Sequence, residues 1–235
     1  MAKKDSLKQQ KFMSFMFRGK EIFKPLNTGH IDERVSCIRE YVANIYFYSK
    51  DGYTIMIDAG YNYDRLAEKM RWLDIRPESI NEIIVTHQDT DHVGAIEVDS
   101  QGLFKTAKIY VGRVENEYLE GRVRRKVYWG LYKLPQVHIE NDKTLIEDGE
   151  IFYIHDIKIE AFLVPGHTWG HLVYLIDDAY LFTGDTIWFG ADGGYAFLNT
   201  LAEDRKLQSV SLKRLEEKLR KRNLSLKIIT GHTGW

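Results

Sequence analysis

The sequence predicts a single α/β domain, because its 235 residues contain both strand-like and helix-like segments. Layered α/β folds of this length often remain one domain. Hydrophobic residues make up 44% of the chain and aromatic residues 13%, which is enough for a sizeable core. Several apolar runs also end in the same way, with a turn followed by a histidine or an aspartate, so the ends of strands are where chemistry is expected.

The expected strands are short apolar runs bounded by turn residues. The first two, 41–49 and 53–58, flank the turn Lys50-Asp51-Gly52, which is typical of a hairpin. The remaining strands are predicted over 83–85, 108–111, 144–146, 151–155, 157–164, 171–176, 180–183 and 224–230.

Helical periodicity occurs in three segments. Asn62 can cap a helix over 63–73, and 207–222 is amphipathic with a stop at Asn223. Within the single domain, 1–235, we expect a helical insertion over about 114–134. Its basic run is interpreted as a solvated helix face, and its aromatic residues as candidates for a pocket wall. These residues are Arg122, Arg124, Arg125 and Lys126, and Tyr118, Tyr128, Trp129 and Tyr132.

Composition narrows the classes of partner. The formal net charge of −1 gives no field that would draw the protein to nucleic acid. No apolar run approaches the roughly 20 residues of a membrane span, and the cluster 12–17 is too short for a signal peptide. The single cysteine, Cys37, excludes an intramolecular disulfide. We therefore expect a cytoplasmic protein that has a small-molecule substrate, no membrane or nucleic-acid partner and no intramolecular disulfide, and that could form a homodimer.

The segment 86–92 follows the apolar run 83–85 and holds four metal-ligand types within six residues: His87, Asp89, Asp91 and His92. Turn chemistry alone could explain one such polar loop. The same junction recurs in three later segments, however, and it supplies His167, Asp185 and His232.

This pattern resembles that of the metallo-β-lactamase superfamily, His-x-His-x-Asp-His followed by a distant His, Asp and His, from about 41 to 232. The sequence departs from it at Asp89, where the family has its second His. The resemblance implies an αββα four-layer sandwich with ligands along one edge. It also implies site one (His87, Asp89, His167), site two (Asp91, His92, His232) and a bridging Asp185.

Two divalent ions in such a centre would share a hydroxide that attacks the substrate, with Asp91 also steering the proton. Zinc is the expected metal. Because Asp89 replaces a neutral His, three carboxylates, two divalent ions and the hydroxide balance to zero charge, and this favours iron or manganese as alternatives.

Four further residues are candidates for supporting roles. Asp58 matches the family's Asp that orients a ligand His, although a turn Asp is the competing interpretation. His171 is expected beside the ligands or the substrate. Trp188 stands where lactonases of the family have a Tyr, and it lacks the phenol that stabilises an oxyanion; Tyr195 could substitute from a loop.

The sequence therefore predicts a metal-dependent hydrolase of an ester, lactone or thioester. Glyoxalase II-type thioesterases carry a helical C-terminal domain, whereas this sequence ends shortly after His232. The main alternative is a non-haem iron oxidoreductase, dioxygenase-like, on the same fold. A non-catalytic metal-binding protein is a third hypothesis, which the seven ligand-type residues disfavour.

Overall fold

A computed structural model describes residues 24–61, 64–128, 130–189, 195–196 and 201–234. In chain order the strands are β1 (Gly29–His30), β2 (Val35–Glu40), β3 (Ala43–Lys50), β4 (Tyr53–Ile57), β5 (Glu82–Val85), β6 (Lys108–Gly112), β7 (Lys126–Val127), β8 (Tyr132–Lys133), β9 (Lys143–Ile146), β10 (Ile151–Ile154), β11 (Ile157–Leu163), β12 (Leu172–Ile176), β13 (Tyr180–Phe182), β14 (Trp188–Phe189), β15 (Tyr195–Ala196) and β16 (Lys227–Ile229). The helices are α1 (Leu66–Trp72), α2 (Thr90–Val93), α3 (Arg113–Leu119) and α4 (Arg205–Arg220).

Two sheets form the centre of the molecule. The seven-stranded sheet has the order β1-β2-β3-β4-β5-β6-β9, and the five-stranded sheet has the order β10-β11-β12-β13-β16. Strands β4, β5, β6 and β9 run parallel, as do β13 and β16. Because parallel strands end at the same edge of a sheet, the loops after β5, β13 and β16 are brought to one side of the fold.

Three apolar layers hold the sheets and helices together. The middle layer lies between the sheets and includes Tyr46, Tyr174 and Phe182. The layer beneath α1 covers the outer face of the seven-stranded sheet. On the other side, Leu215 and Leu219 of α4 pack against the five-stranded sheet. The resulting order of helix, sheet, sheet and helix is the expected αββα sandwich.

The predicted strands correspond to strands of the structure, and the sequence analysis missed one of the long ones. Strand β2 contains the buried polar residues Ser36 and Glu40, which hide its apolar pattern. Helix α1 begins at Leu66, and the expected cap Asn62 lies outside the described residues. So do residues 1–23, which include the apolar cluster 12–17. Among the described helices, none is long and apolar enough to cross a membrane.

The predicted helical insertion over about 114–134 is helical only in its first part. Helix α3 stops at Leu119, and Gly121 follows with φ +72°, a left-handed conformation that ends a helix. Arg122 turns back to the carboxylate of Glu117. Beyond it the chain forms the short β7–β8 hairpin instead of further helical turns. Trp129 lies outside the described residues.

Candidate metal centre

The first ligand-type residues follow β5 directly. His87 lies in the loop after this strand, and Asp89 stands at the N-terminus of α2, a single turn that carries Asp91 and His92. The side chain of Asp89 makes no capping hydrogen bond to this helix, so its carboxylate points elsewhere. His167 lies in the loop between β11 and β12, which pair antiparallel, so this loop does not follow a parallel strand.

Four ligand atoms of site one surround a common point. His87 Nε2 lies 3.6 Å from Asp89 Oδ2 and 3.9 Å from Asp185 Oδ2. His167 Nε2 lies 3.2 Å from Asp89 Oδ2 and 3.5 Å from Asp185 Oδ2. Tetrahedral ligands at zinc distances of about 2.1 Å are separated by roughly 3.4 Å, so these spacings suit one cation. The structure thus brings the four residues expected at site one together.

Site two is arranged around the same aspartate. His92 Nε2 lies 3.1 Å from Asp185 Oδ1, and His232 Nε2 lies 3.0 Å from Asp185 Oδ2. Asp91 Oδ2 is 3.4 Å from His232 Nε2 and 3.9 Å from His92 Nε2. The carboxylate of Asp185 therefore lies between the two groups of ligand atoms, where it could bridge two cations.

Several atoms at this point are buried without a well-directed hydrogen bond. Within the described part of the chain, these include His87 Nε2, His92 Nε2 and Asp185 Oδ1. Buried polar atoms of folded proteins are usually satisfied, and such exceptions call for a partner. Imidazole nitrogens and carboxylate oxygens are the ligands of zinc and related divalent ions, so the donor set fits a pair of such cations.

The histidines of the two sites differ in charge preference. Burial, together with the neighbouring His92, lowers the pKa of His87 to about 3 and keeps this imidazole neutral. Burial opposes protonation of His92 and His232, but the nearby carboxylates together outweigh it and raise the pKa of both rings: Asp185 and Asp91 act on both, and Asp58 also acts on His92. Asp185 itself is buried, yet these two rings hold the pKa of its carboxyl well below the usual range.

Asp58 connects both sites through hydrogen bonds. Its Oδ2 accepts from Nδ1 of His92 at 2.7 Å and from Oγ1 of Thr86 at 2.8 Å. Thr86 Oγ1 in turn accepts from Nδ1 of His87 at 3.0 Å. A partner on the far ring nitrogen fixes the tautomer that leaves Nε2 free to bind a metal. The contacts of Asp58 are those of a residue that orients ligand histidines.

Two of the other predicted supporting residues, His171 and Trp188, lie close to the ligand-type histidines. His171 Nε2 accepts the backbone N–H of Asp185 at 3.2 Å, and its ring stacks on that of His87 with centroids 4.8 Å apart. The ring of Trp188 lies 4.8 Å from that of His232. The backbone of Tyr195 pairs with Phe189, but its side chain lies outside the described residues, so its predicted role stays a prediction.

Sequence analysis did not predict that a buried arginine lies beside the site. Arg125 is only 2% exposed, so its interpretation as part of a solvated face is wrong. Its Nε donates to Asp89 Oδ1 at 2.8 Å and its terminal nitrogen to Asp89 Oδ2 at 3.0 Å. The carboxylate of Asp89, at a position where the family has a histidine, indicates that a positively charged partner is needed. The sequence does not indicate which basic residue is that partner.

Glu115 was also missed. Its carboxyl accepts the backbone N–H of Gln88 at 2.8 Å and the hydroxyl hydrogen of Thr168 at 2.7 Å, and so ties together the loops that carry His87 and His167. Helix α3 comes this close because Gly170 has no side chain: a Cβ there would lie 2.2 Å from the backbone nitrogen of Glu115. Burial raises the pKa of Glu115 to about 8.

Comparison with known families matches residues 38–232 to the metallo-β-lactamase superfamily. The chain belongs to this superfamily. The expected family and its four-layer fold are thereby confirmed. The match includes every ligand-type residue described above, from His87 to His232, together with Asp58.

Named relatives of this superfamily member include hydrolases. A probable polyketide biosynthesis zinc-dependent hydrolase, BaeB of Bacillus velezensis, is 29% identical over 150 residues, which are 64% of this chain and 56% of the relative. A hydroxyacylglutathione hydrolase of Buchnera aphidicola is 28% identical over 141 residues, 59% of this chain and 44% of the relative. The matched part thus spans about half the length of these curated relatives.

Among solved structures, a B3 metallo-β-lactamase with an active-site glutamic acid superimposes with a TM-score of 0.65. The two chains are 19% identical, and the superposition covers 92% of this chain and 82% of that one. At this identity the similarity establishes the fold, and it leaves the substrate open.

Proposed function

We propose that this protein is a metal-dependent hydrolase that holds two divalent cations and cleaves an ester, lactone or thioester bond. The observation that carries the proposal is the convergence of the ligand atoms in two groups around Asp185, with separations that suit two cations. The seven proposed ligands are His87, Asp89, Asp91, His92, His167, Asp185 and His232.

Two such cations, when bound, supply Lewis acidity and an acidic water at neutral pH, so no serine or cysteine nucleophile is required. Asp185 would hold both cations at a fixed separation. Asp91 is the most solvent-accessible of the three carboxylates, and Arg125 does not contact it within the described residues. Burial raises the pKa of Asp91, as do the charges of Asp185 and Asp89, so this carboxylate suits the transfer of a proton from the attacking water.

Zinc is the metal we propose, and a thioester or other activated acyl compound is the substrate class. The zinc assignment is supported by the mixed set of imidazole and carboxylate donors and by the name of the Bacillus relative. The substrate class is supported by the hydroxyacylglutathione hydrolases among the relatives, whose substrates are thioesters by name.

The proposal is tested with protein purified without added metal. Elemental analysis should find about two zinc ions per chain, and the protein should hydrolyse members of a panel of aryl esters, lactones and acyl thioesters. Asp91→Ala and His167→Ala should lower turnover by at least about 100-fold while circular dichroism shows an intact fold.

Asp99→Ala is the matched control, because Asp99 follows the segment 86–92 closely in sequence but its side chain is exposed. It should retain wild-type turnover and metal content. Wild-type protein that holds no transition metal and cannot be reconstituted with one would refute the proposal, and so would full activity in Asp91→Ala.

A further inference from the structure

The side chain of Arg125 is built into the wall of site one. Besides the two bonds to Asp89, its terminal nitrogens donate to the backbone carbonyls of Leu201 at 2.7 Å and Lys126 at 3.0 Å. Four directed hydrogen bonds hold the guanidinium in one orientation. A fork of this kind, with two parallel bonds to one carboxylate, is the strongest arrangement that arginine makes.

The guanidinium lies beside the space for a cation and does not fill it. One terminal nitrogen also donates to His167 Nε2 at 3.2 Å, a bond that a cation held by this ring nitrogen would replace. In the part of the chain that the structure describes, however, Arg125 forms no ion pair with Asp185, the carboxylate on the opposite side of site one. A guanidinium nitrogen at the centre of the four ligand atoms would have to contact both carboxylates. The metal and the arginine can therefore be present together.

Asp89 divides its two oxygens between these partners. Oδ1 accepts from Nε of Arg125 and from the side-chain amide of Gln88 at 2.7 Å. Oδ2 is the atom that faces His87 Nε2 and His167 Nε2. With Oδ1 occupied in this way, Asp89 presents a single oxygen to site one, as an imidazole presents a single nitrogen.

We propose that Asp89 and Arg125 act as one unit that takes the place of the neutral histidine found at position 89 in the wider superfamily. The carboxylate provides the ligand atom, and the buried guanidinium cancels its charge and fixes its rotamer. Arg125 is thus a positioning residue for the metal. This inference rests on the proposed metal centre. It adds to that centre a specific role for Arg125, which lies in the segment between α3 and β7.

The pair changes the charge balance on which the expectation of iron or manganese depends. Asp89 alone removes one positive charge from the centre relative to a histidine, and Arg125 restores it. A centre with this pair has the same net charge as the usual zinc centre, so the substitution at position 89 gives no electrostatic reason to prefer a harder ion.

The test measures zinc affinity by chelator competition and site occupancy by cobalt absorption in wild type, Asp89→His, Arg125→Lys and the double variant Asp89→His/Arg125→Met. Asp89→His leaves a buried cation without its partner beside the metal, so site one should weaken by about tenfold or more. The double variant removes that cation and should recover affinity to within about threefold of wild type. Arg125→Lys keeps the charge but loses the fork, and should weaken site one by about tenfold.

Arg122→Met is the matched control, because Arg122 belongs to the same segment but forms an exposed pair with Glu117. It should bind both ions normally, and site two should be unchanged in every variant. The inference is overturned if Asp89→His alone binds as tightly as wild type, or if the double variant binds no better than Asp89→His. Should neither Asp89→His protein fold, as judged by thermal melting, wild-type affinity in Arg125→Lys overturns it. Wild-type protein without metal would refute the metal centre itself.

Discussion

The two halves of the candidate centre share Asp185 but are supported by different parts of the molecule. Site one depends on side chains delivered after β6: Arg125 holds Asp89, and Glu115 ties the loops of His87 and His167. Site two is instead supported by the backbone next to the seven-stranded sheet: the ring of His232 donates from Nδ1 to the backbone carbonyl of Val42, just before β3, at 2.6 Å. The difference predicts that sequence changes in the segment after β6 alter the geometry of site one while the ligand-type residues of site two keep theirs.

The comparison extends to charge. In the absence of metal, His87 of site one favours the neutral form, whereas His92 and His232 of site two favour the protonated form beside Asp185. Site one instead contains Arg125, a permanent cation, because the guanidinium of arginine does not lose its proton in proteins. The two sites therefore reach charge balance by different means: a fixed arginine in one and exchangeable ring protons in the other.

Asp58 is linked by hydrogen bonds to histidines of both sites, so its removal should have the largest effect. Asp58 accepts from His92 Nδ1 and Thr86 Oγ1 through Oδ2 and from the backbone N–H of Thr86 through Oδ1, so in Asp58→Asn the amide nitrogen must face at least one of these donors and the ring of His92 loses its orienting carboxylate. We expect zinc affinity at site two to fall by about 10–100-fold, with a smaller loss at site one. Chelator competition measures both. Asp177→Asn, which alters a carboxylate paired with Lys50, is the control; equal affinity in Asp58→Asn and wild type would contradict the role.

Thr86→Val should separate the sites. The substitution preserves shape but removes the hydroxyl that accepts from Nδ1 of His87, while the bond between Asp58 and His92 remains. Site one should weaken by about tenfold and site two should keep its affinity. Cobalt absorption resolves the two occupancies. Thr54→Val removes a hydroxyl bonded to Ser49 on β3 and serves as the control. An equal loss at both sites would show that the supports are not independent.

The sequence was sufficient to predict the fold and the convergence of the ligand-type residues, because the type, order and strand context of these residues resemble the pattern of the superfamily. It was insufficient for Arg125 and Glu115. Their positions depend on how the chain turns after Leu119, where Gly121 ends the helix, and on the close approach permitted by Gly170. Helical periodicity in 114–134 describes only local preference, and burial of a charged side chain against Asp89 is a tertiary effect that outweighs it.

The smallest expected effect concerns the ionisation of Glu115, a feature of site one that site two lacks. Burial raises the pKa of Glu115 from 4.5 to about 8, so the folded protein binds this proton more tightly than the unfolded chain does. The stabilisation is fully present below about pH 4.5 and is lost as the pH rises through about 8. In metal-free protein, this group should lower the free energy of unfolding by roughly 1 kcal/mol between pH 7 and 9.

Glu115→Gln cannot ionise, but its amide can still accept from Gln88 and bond to Thr168, so the variant should not show this loss and the stabilities of variant and wild type should diverge between pH 7 and 9. Urea unfolding at pH 7, 8 and 9 in the presence of a chelator measures it. Glu117→Gln, on the exposed side of α3, should follow the wild-type profile, because the pKa of Glu117 is lowered by its hydrogen bond with Arg122 and this carboxylate is already ionised throughout that range. Parallel profiles for Glu115→Gln and wild type would mean that Glu115 keeps its charge in the folded protein, and that the loops of site one are joined by a carboxylate instead of a carboxylic acid.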